Sequence, residues 1–179
     1  MSVVAVFVGM PGSGKTTVGR IMARSLGVPF RDSDALIEER DGRSIPEIFS
    51  ADGEPGFRVI EARVIQDALD NFHGVLSLGG GAVLTESTRV ALKDHPVVLI
   101  DVDSKELVRR VTKSKTVRPL LAGDPAGRIA ELKAQREPLY REVASHTVTS
   151  SAEPVTHVVR AVLDELGFAE VEVNTGAAE

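Results

Sequence analysis

The chain contains no cysteine and no tryptophan, and Tyr140 is its single tyrosine. Without cysteine there is no disulfide framework, no thiolate metal site and no cysteine nucleophile. Aromatic residues make up only 4% of the sequence, which speaks against the stacking platforms that bind sugars or single-stranded nucleic acid. An excess of positive charge is also missing. The net charge of −5 argues against general affinity for nucleic acid or anionic membrane, so any anionic ligand must be met by local positive charge. No apolar run approaches the length of a membrane span. The apolar stretch Ser2–Val8 lacks a basic region before it and runs straight into glycines, unlike an export signal. A soluble cytoplasmic protein is expected, with neither nucleic acid nor membrane as partner.

What is present fits one domain. At 179 residues, 42% hydrophobic and 26% charged, the chain is long enough to bury a sizeable core. Short apolar runs at Val3–Val8, Val28–Arg31, Val75–Leu78, Val97–Val102 and His146–Thr149 read as strands. Helical patterns lie between and after them, at Lys15–Leu26, Phe57–Phe72, Glu86–Lys93, Lys105–Thr112, Arg128–Val143 and Val155–Leu166. The alternation predicts an α/β fold in which a parallel sheet is wrapped by helices. Right-handed crossovers place the strand C-terminal ends, and any site, on one edge. Thr112–Asp124 is basic, carries Gly and Pro, and has no period; it reads as a solvated loop or as a mobile lid. Phe168–Glu179 loses apolar periodicity and is expected to be a disordered tail. The histidines His73, His95, His146 and His157 show no metal-ligand spacing.

Gly9-Met-Pro-Gly12-Ser13-Gly14-Lys15-Thr16 satisfies the spacing G-x-x-x-x-G-K-[ST]. Its glycines let backbone N–H groups converge, and with the following helix N-terminus they form an anion nest. Lys15 adds a point charge near the outer phosphates of a nucleotide, and the Thr16 hydroxyl suits Mg²⁺. The pattern arises by chance in about one chain in a hundred of this length at ordinary glycine content. The strand before it and the helix after it are the context that the motif requires.

Carboxylates and arginines follow at suggestive places. Asp32 and Asp34 lie two residues apart just past the second strand and share a face if the segment is extended. One suits a hydrated Mg²⁺ and the other an acceptor hydroxyl; the equal alternative is that Asp32, Ser33 or Asp34 does no more than cap a helix starting near Ala35. Asp101, closing the apolar run Val97–Val102, competes with Asp32 as metal partner, and pattern alone leaves both open. Gly79, Gly80 and Gly81 follow the third strand and permit close approach of a ligand. Arg136 falls on the apolar stripe of its helix, between Leu132 and Leu139, so it either serves a ligand or reaches past its neighbours to water. Arg58 sits in the first turn of its helix with Glu61 at i+3: a local pair, or a slight misfit with the helix dipole that an anion would relieve. Two converging arginines would clamp a small carboxylate by bidentate bonds. Arg118, beside Pro119 in the basic loop, is placed to neutralise transferring phosphate if that loop closes.

Taken together, "GMPGSGKTTVGR", "DSD", "GRSIPEIF", "GEPGFRVIE", "LSLGGGAV", "TVRPLL" and "REPLYREVA" resemble the shikimate kinase family in order and spacing, over roughly residues 3–166. The resemblance implies a three-layer, P-loop nucleoside monophosphate kinase-like fold with a five-stranded parallel sheet of order 2-3-1-4-5. It implies one kinase domain over residues 1–167, with a substrate-binding segment at about 32–61 and a lid at about 112–124. The implied reaction moves the γ-phosphoryl group of ATP, with Mg²⁺, to the 3-hydroxyl of shikimate, on the way to chorismate and aromatic amino acids. On this chain it assigns Gly12, Ser13, Gly14, Lys15, Thr16 and Thr17 to the phosphates, and Thr16 and Asp32 to Mg²⁺. Asp34 becomes the base that holds the shikimate hydroxyls. Arg58 and Arg136 hold the carboxylate, Glu61 supports Arg58, and Gly79, Gly80 and Gly81 form the floor. Phe49 and Phe57 pack beside the ring. Lys15 and Arg118 stabilise the transferring phosphate, while Arg110 and Pro154 sandwich the adenine. A monomer is implied. Pro55-Gly56 departs from the family pattern and bears on where the Phe57 helix begins and how Arg58 is aimed; the Thr112–Thr116 segment adds positive charge and about one residue of lid length. The Ser150–Pro154 loop varies in length across the family, so the adenine contacts carry over least directly. Gluconate and nucleoside monophosphate kinases, and an ATP-binding regulatory module without turnover, are the competing readings.

Overall fold

The structure is a computed structural model that describes residues 2–114 and 123–176. Its centre is strand β1 (Ala5–Val8), whose residues are all buried. β2 (Phe30–Asp32), β3 (Val75–Ser77), β4 (Val97–Asp101) and β5 (His146–Thr149) complete one parallel sheet of order β2-β3-β1-β4-β5. The register pairs Val6 with Leu76 on one side and with Val97 on the other. Strand continuity on both sides explains the near-unbroken apolar runs of β1 and β4. The strand C-terminal ends lie together, with Asp32 paired to Ser77 at one of them. α1 (Lys15–Leu26) packs on β1, β2 and β3 and against α7 (Val155–Glu165), while α6 (Pro125–Val143) packs on β4. Among the described residues, no helix is long and apolar enough to cross a membrane.

The largest departures from the sequence reading lie in the segment that follows β2. A short helix α2 (Ser33–Asp41) starts there at once. The next helix, α3, spans Ile45–Asn71 and bends at Gly53, where φ is 68° and ψ is −179°. That backbone region belongs almost entirely to glycine. Two helical halves therefore meet at Gly53, which is itself not helical: Pro55 opens the second half, where its missing N–H costs nothing. A capping box of Ser44 and Glu47 starts the first half. The remaining helices are α4 (Glu86–Leu92) and α5 (Ser104–Lys113). α6 begins at Pro125, earlier than its apolar period shows, because Asp124 caps it by accepting from Gly127 N.

The disordered tail expected from Phe168 onward does not describe residues 168–176. Phe168, Val171 and Val173 pack against the core. Asn174 N donates to Ser25 Oγ at 2.8 Å, Arg160 Nη1 donates to Val171 O at 2.7 Å, and Arg24 reaches Thr175 O. A search for helical period misses the segment because its apolar residues alternate, Val171-Glu172-Val173, as an extended chain with one buried face does.

Candidate active site

The phosphate loop joins β1 to α1. Gly14 caps the helix in the left-handed region (φ 89°), with no side chain on the first N–H groups and no acid in the first turn. The positive end of α1 is thus left for an anion. Lys15 is nearly buried and donates to Met10 O at 3.4 Å. A cavity of about 420 Å³ opens before the loop, lined on this side by Gly12, Gly14, Lys15, Thr16 and Thr17.

Thr16 Oγ1 donates to Asp32 Oδ2 at 3.2 Å and lies 3.4 Å from Ser77 Oγ. The two hard oxygens, hydroxyl and carboxylate, beside a phosphate nest are the donor type Mg²⁺ prefers. Asp32 also caps α2: its Oδ1 accepts from Asp34 N at 2.9 Å. Capping and metal contact are not alternatives, because each uses a different carboxylate oxygen. Asp101 is engaged elsewhere, 3.2 Å from Arg141 and 3.9 Å from Lys133, where it ties β4 to α6.

Asp34, freed from capping, lines the same cavity. Water reaches it from the open side, but the cavity walls strip enough solvent to raise its pKa above the ordinary 3.8; Asp32 raises it further and Lys15 opposes. Two arginines form another wall of it. Arg58 Nη1 donates to the buried Glu61 Oε1 at 2.8 Å. Burial raises the pKa of Glu61, and Arg58 counters it. Arg136 is 5% exposed, so it does not reach past its neighbours to bulk water. The Nε atoms of both arginines are buried without a hydrogen-bond partner among the described residues. An unmet buried donor costs about 1–3 kcal/mol, so the wall holds cationic donors in reserve for an acceptor.

The glycines after β3 fit this wall. A Cβ on Gly79 would lie 2.8 Å from Asp34 Oδ1, one on Gly80 would lie 3.3 Å from Arg136 Nη1, and one on Gly81 would fall onto the Arg58 guanidinium, 2.8 Å from Nη1. Each glycine makes room for one polar group of the cavity. Phe49 and Phe57 stack at 4.5 Å between ring centroids and close its side.

This constellation can be set beside known proteins. The family model of shikimate kinase matches residues 11–167. The chain belongs to the shikimate kinase family. A shikimate kinase of Mycobacterium tuberculosis is 51% identical over 163 residues, covering 90% of this chain and 92% of the relative. One from Rhodococcus jostii is 43% identical over 163 residues, covering 90% and 96%. Among solved structures, a shikimate kinase from Acinetobacter baumannii in complex with shikimate superposes with a TM-score of 0.84 at 36% identity, covering 93% of both chains. A gluconokinase from Sinorhizobium meliloti, 23% identical with a TM-score of 0.64, shares the fold.

On the nucleotide side, the shikimate kinase pattern is only partly brought together. A smaller cavity of about 210 Å³ behind the phosphate loop is lined by Ser13, Gly14, Thr17 and Arg110. Arg110 is held in place by Ser13 O at 3.1 Å, Ser150 Oγ at 2.9 Å and Ser151 O at 2.6 Å. Pro154 caps α7, and the lining opposite Arg110 comes from its neighbours Glu153 and Val155 instead. Arg118 lies outside the described residues, as do positions 115–122 of the expected lid.

Several cavity residues escaped the sequence reading. Pro11, Ile45 and Leu78 line it as well. Ser33 Oγ accepts from Gly79 N at 2.9 Å, and Tyr140 OH donates to Gly80 O at 2.5 Å. These two hold the glycine floor. Burial pushes the Tyr140 hydroxyl up to about 12, which keeps it a donor. A signal existed for Tyr140: it is four residues past Arg136, on the same helical face.

Proposed function

We propose that this cavity transfers the γ-phosphoryl group of ATP to the 3-hydroxyl of shikimate, giving shikimate 3-phosphate and ADP. The observation that carries this reading is that two chemistries share one cavity. The phosphate nest and two arginines both line it, and Asp34, on the same lining, feels the charge of Lys15 and of Arg58. A nucleotide enters phosphates-first; a small acid enters carboxylate-first. Arg58 and Arg136 fix the far end of the acid, so that its hydroxyl meets Asp34.

The step needs positioning and charge neutralisation more than covalent help from the protein. The shikimate 3-oxygen forms a bond to the γ-phosphorus while the bond from that phosphorus to the β–γ bridging oxygen breaks. Asp34 orients the hydroxyl and takes its proton, and its raised pKa suits a base. The α1 N–H groups and Lys15 stabilise the phosphate oxygens. Thr16 and Asp32 would hold the Mg²⁺ that accompanies ATP, whose charge offsets that of the phosphates. Arg118, assigned by the family pattern, completes that neutralisation. Arg110 borders the adenine. A monomer is proposed from the family pattern, and the ATP requirement suits the cytoplasm.

A coupled ADP-release assay with Mg·ATP and separate shikimate, gluconate and nucleoside monophosphate arms tests this. Shikimate-dependent ADP release with little response to the others is expected. Release driven by gluconate or a nucleotide, with none for shikimate, overturns the assignment.

A further inference from the structure

Arg43 lies in the turn between α2 and α3 and does not line the cavity. Its guanidinium grips Asp41 with two bonds, Nε to Oδ1 at 2.6 Å and Nη2 to Oδ2 at 3.0 Å. The same Nη2 donates to Asp52 Oδ2 at 2.8 Å. Asp41 ends α2. Asp52 is the last residue before the Gly53 bend in α3, and its side chain lies over Gly56, where a Cβ would sit 2.5 Å from Asp52 Cβ. Arg43 therefore ties the end of α2 to the joint of α3.

That joint divides the acceptor side of the cavity. Ile45 and Phe49 line it from the first half of α3; Phe57, Arg58 and Glu61 line it from the second. The ring stack of Phe49 on Phe57 spans the bend. Other contacts hold α2 to each half separately: Glu38 Oε1 accepts from Ile45 N at 2.9 Å, and Arg40 pairs with Asp67. Arg43 acts at the bend itself.

We propose that Arg43 and Asp52 form a positioning latch that sets the angle between the two halves of α3, and through it the aim of Arg58 at the acceptor carboxylate. Neither residue lines the cavity. Both are more than a third exposed, so the latch adds little to global stability. Its effect on binding is larger, because a displacement of about 1 Å at a clamp can cost roughly a hundredfold in rate. The planar fork of arginine grips two carboxylates at once, which the point charge of lysine cannot do. This inference rests on the reading of the cavity's arginine wall as the acid-binding side.

The test compares wild type, Arg43→Ala, Arg43→Lys, Asp52→Asn and the double variant Arg43→Ala/Asp52→Asn, by steady-state kinetics in both substrates and by thermal unfolding. Arg43→Ala and Asp52→Asn are expected to raise the shikimate KM by about 3–10-fold, with the ATP KM and the unfolding midpoint held near wild type; latched pairs of this kind couple by roughly that factor. Arg43→Lys is expected to fall short of full rescue. The double variant is expected to be no worse than the worse single, because both remove one latch. The latch is overturned if both single variants keep the wild-type shikimate KM, if the two KM values and the midpoint shift together, or if the single effects multiply. A wild-type protein that does not phosphorylate shikimate would instead overturn the cavity reading, so the two failures are distinguishable.

Discussion

Asp34 is the proposed base, a role that a phosphate loop cannot supply. Its pKa is raised, first by lost solvent and then by Asp32. A raised carboxylate pKa means that the folded protein holds this proton more tightly than the unfolded chain does. Ionised Asp34 thus lowers stability at neutral pH, and the loss is relieved as pH falls through its folded pKa. Asp34→Asn is expected to reduce turnover by about 10²–10⁴-fold while ATP still binds and the ligand-free unfolding midpoint stays level or rises. Unchanged kcat would remove Asp34 from the reaction. The acid limb of kcat/KM for shikimate in the wild type should lie above pH 3.8, and should be absent from whatever activity Asp34→Asn retains. Arg136→Ala should raise the shikimate KM by roughly 10–100-fold, the worth of about 1.5–3 kcal/mol for bonds to a charged group, and leave the ATP KM in place. A rise in the ATP KM alone would place Arg136 on the wrong wall. Arg136 was legible in the sequence because a charge on an apolar stripe needs a reason to be there. The double duty of Asp32 was not, since residue type does not reveal that its two oxygens serve different partners.

At the scale of elements, α2 couples the candidate metal ligand to the substrate segment through its cap. Asparagine caps a helix about as well as aspartate, whereas alanine loses about 1 kcal/mol. Asp32→Asn should therefore keep the unfolding midpoint but need more Mg²⁺ for half-maximal rate. Asp32→Ala should show the same Mg²⁺ requirement together with lower stability. Equal Mg²⁺ dependence in wild type and Asp32→Asn would leave Asp32 as a cap alone. The sequence reading placed the five strands within a residue or two; the central ones, β1, β3 and β4, were plainest because they are short, buried and almost continuously apolar. It missed the first half of α3, before Gly53, and began the second at Phe57, a few residues late. The break that Gly53-Glu54-Pro55-Gly56 marks is real, since Gly53 is not helical, but Pro55 and Gly56 already belong to the second half.

For the whole molecule, the fold extends past the region that the family model covers. Phe168, Val171 and Val173 cover the core beside α1 and α7, and Ser25 and Arg24 at the far end of α1 bind the same segment. A chain ending at Gly167 should lose roughly 2–4 kcal/mol of apolar burial and melt about 5–10 °C lower, with the shikimate KM unchanged at 25 °C. An equal midpoint would show that the segment contributes nothing to stability. The central claim is that the phosphate nest and the two arginines serve different ligands in one cavity, which requires one acceptor orientation. A crystal structure with ADP, Mg²⁺ and shikimate tests it most directly. The account predicts the shikimate carboxylate within hydrogen-bond distance, about 3 Å, of both Arg58 and Arg136, with a ring hydroxyl on Asp34. A carboxylate facing Lys15 and the phosphate loop, with the hydroxyls on the arginines, would contradict it.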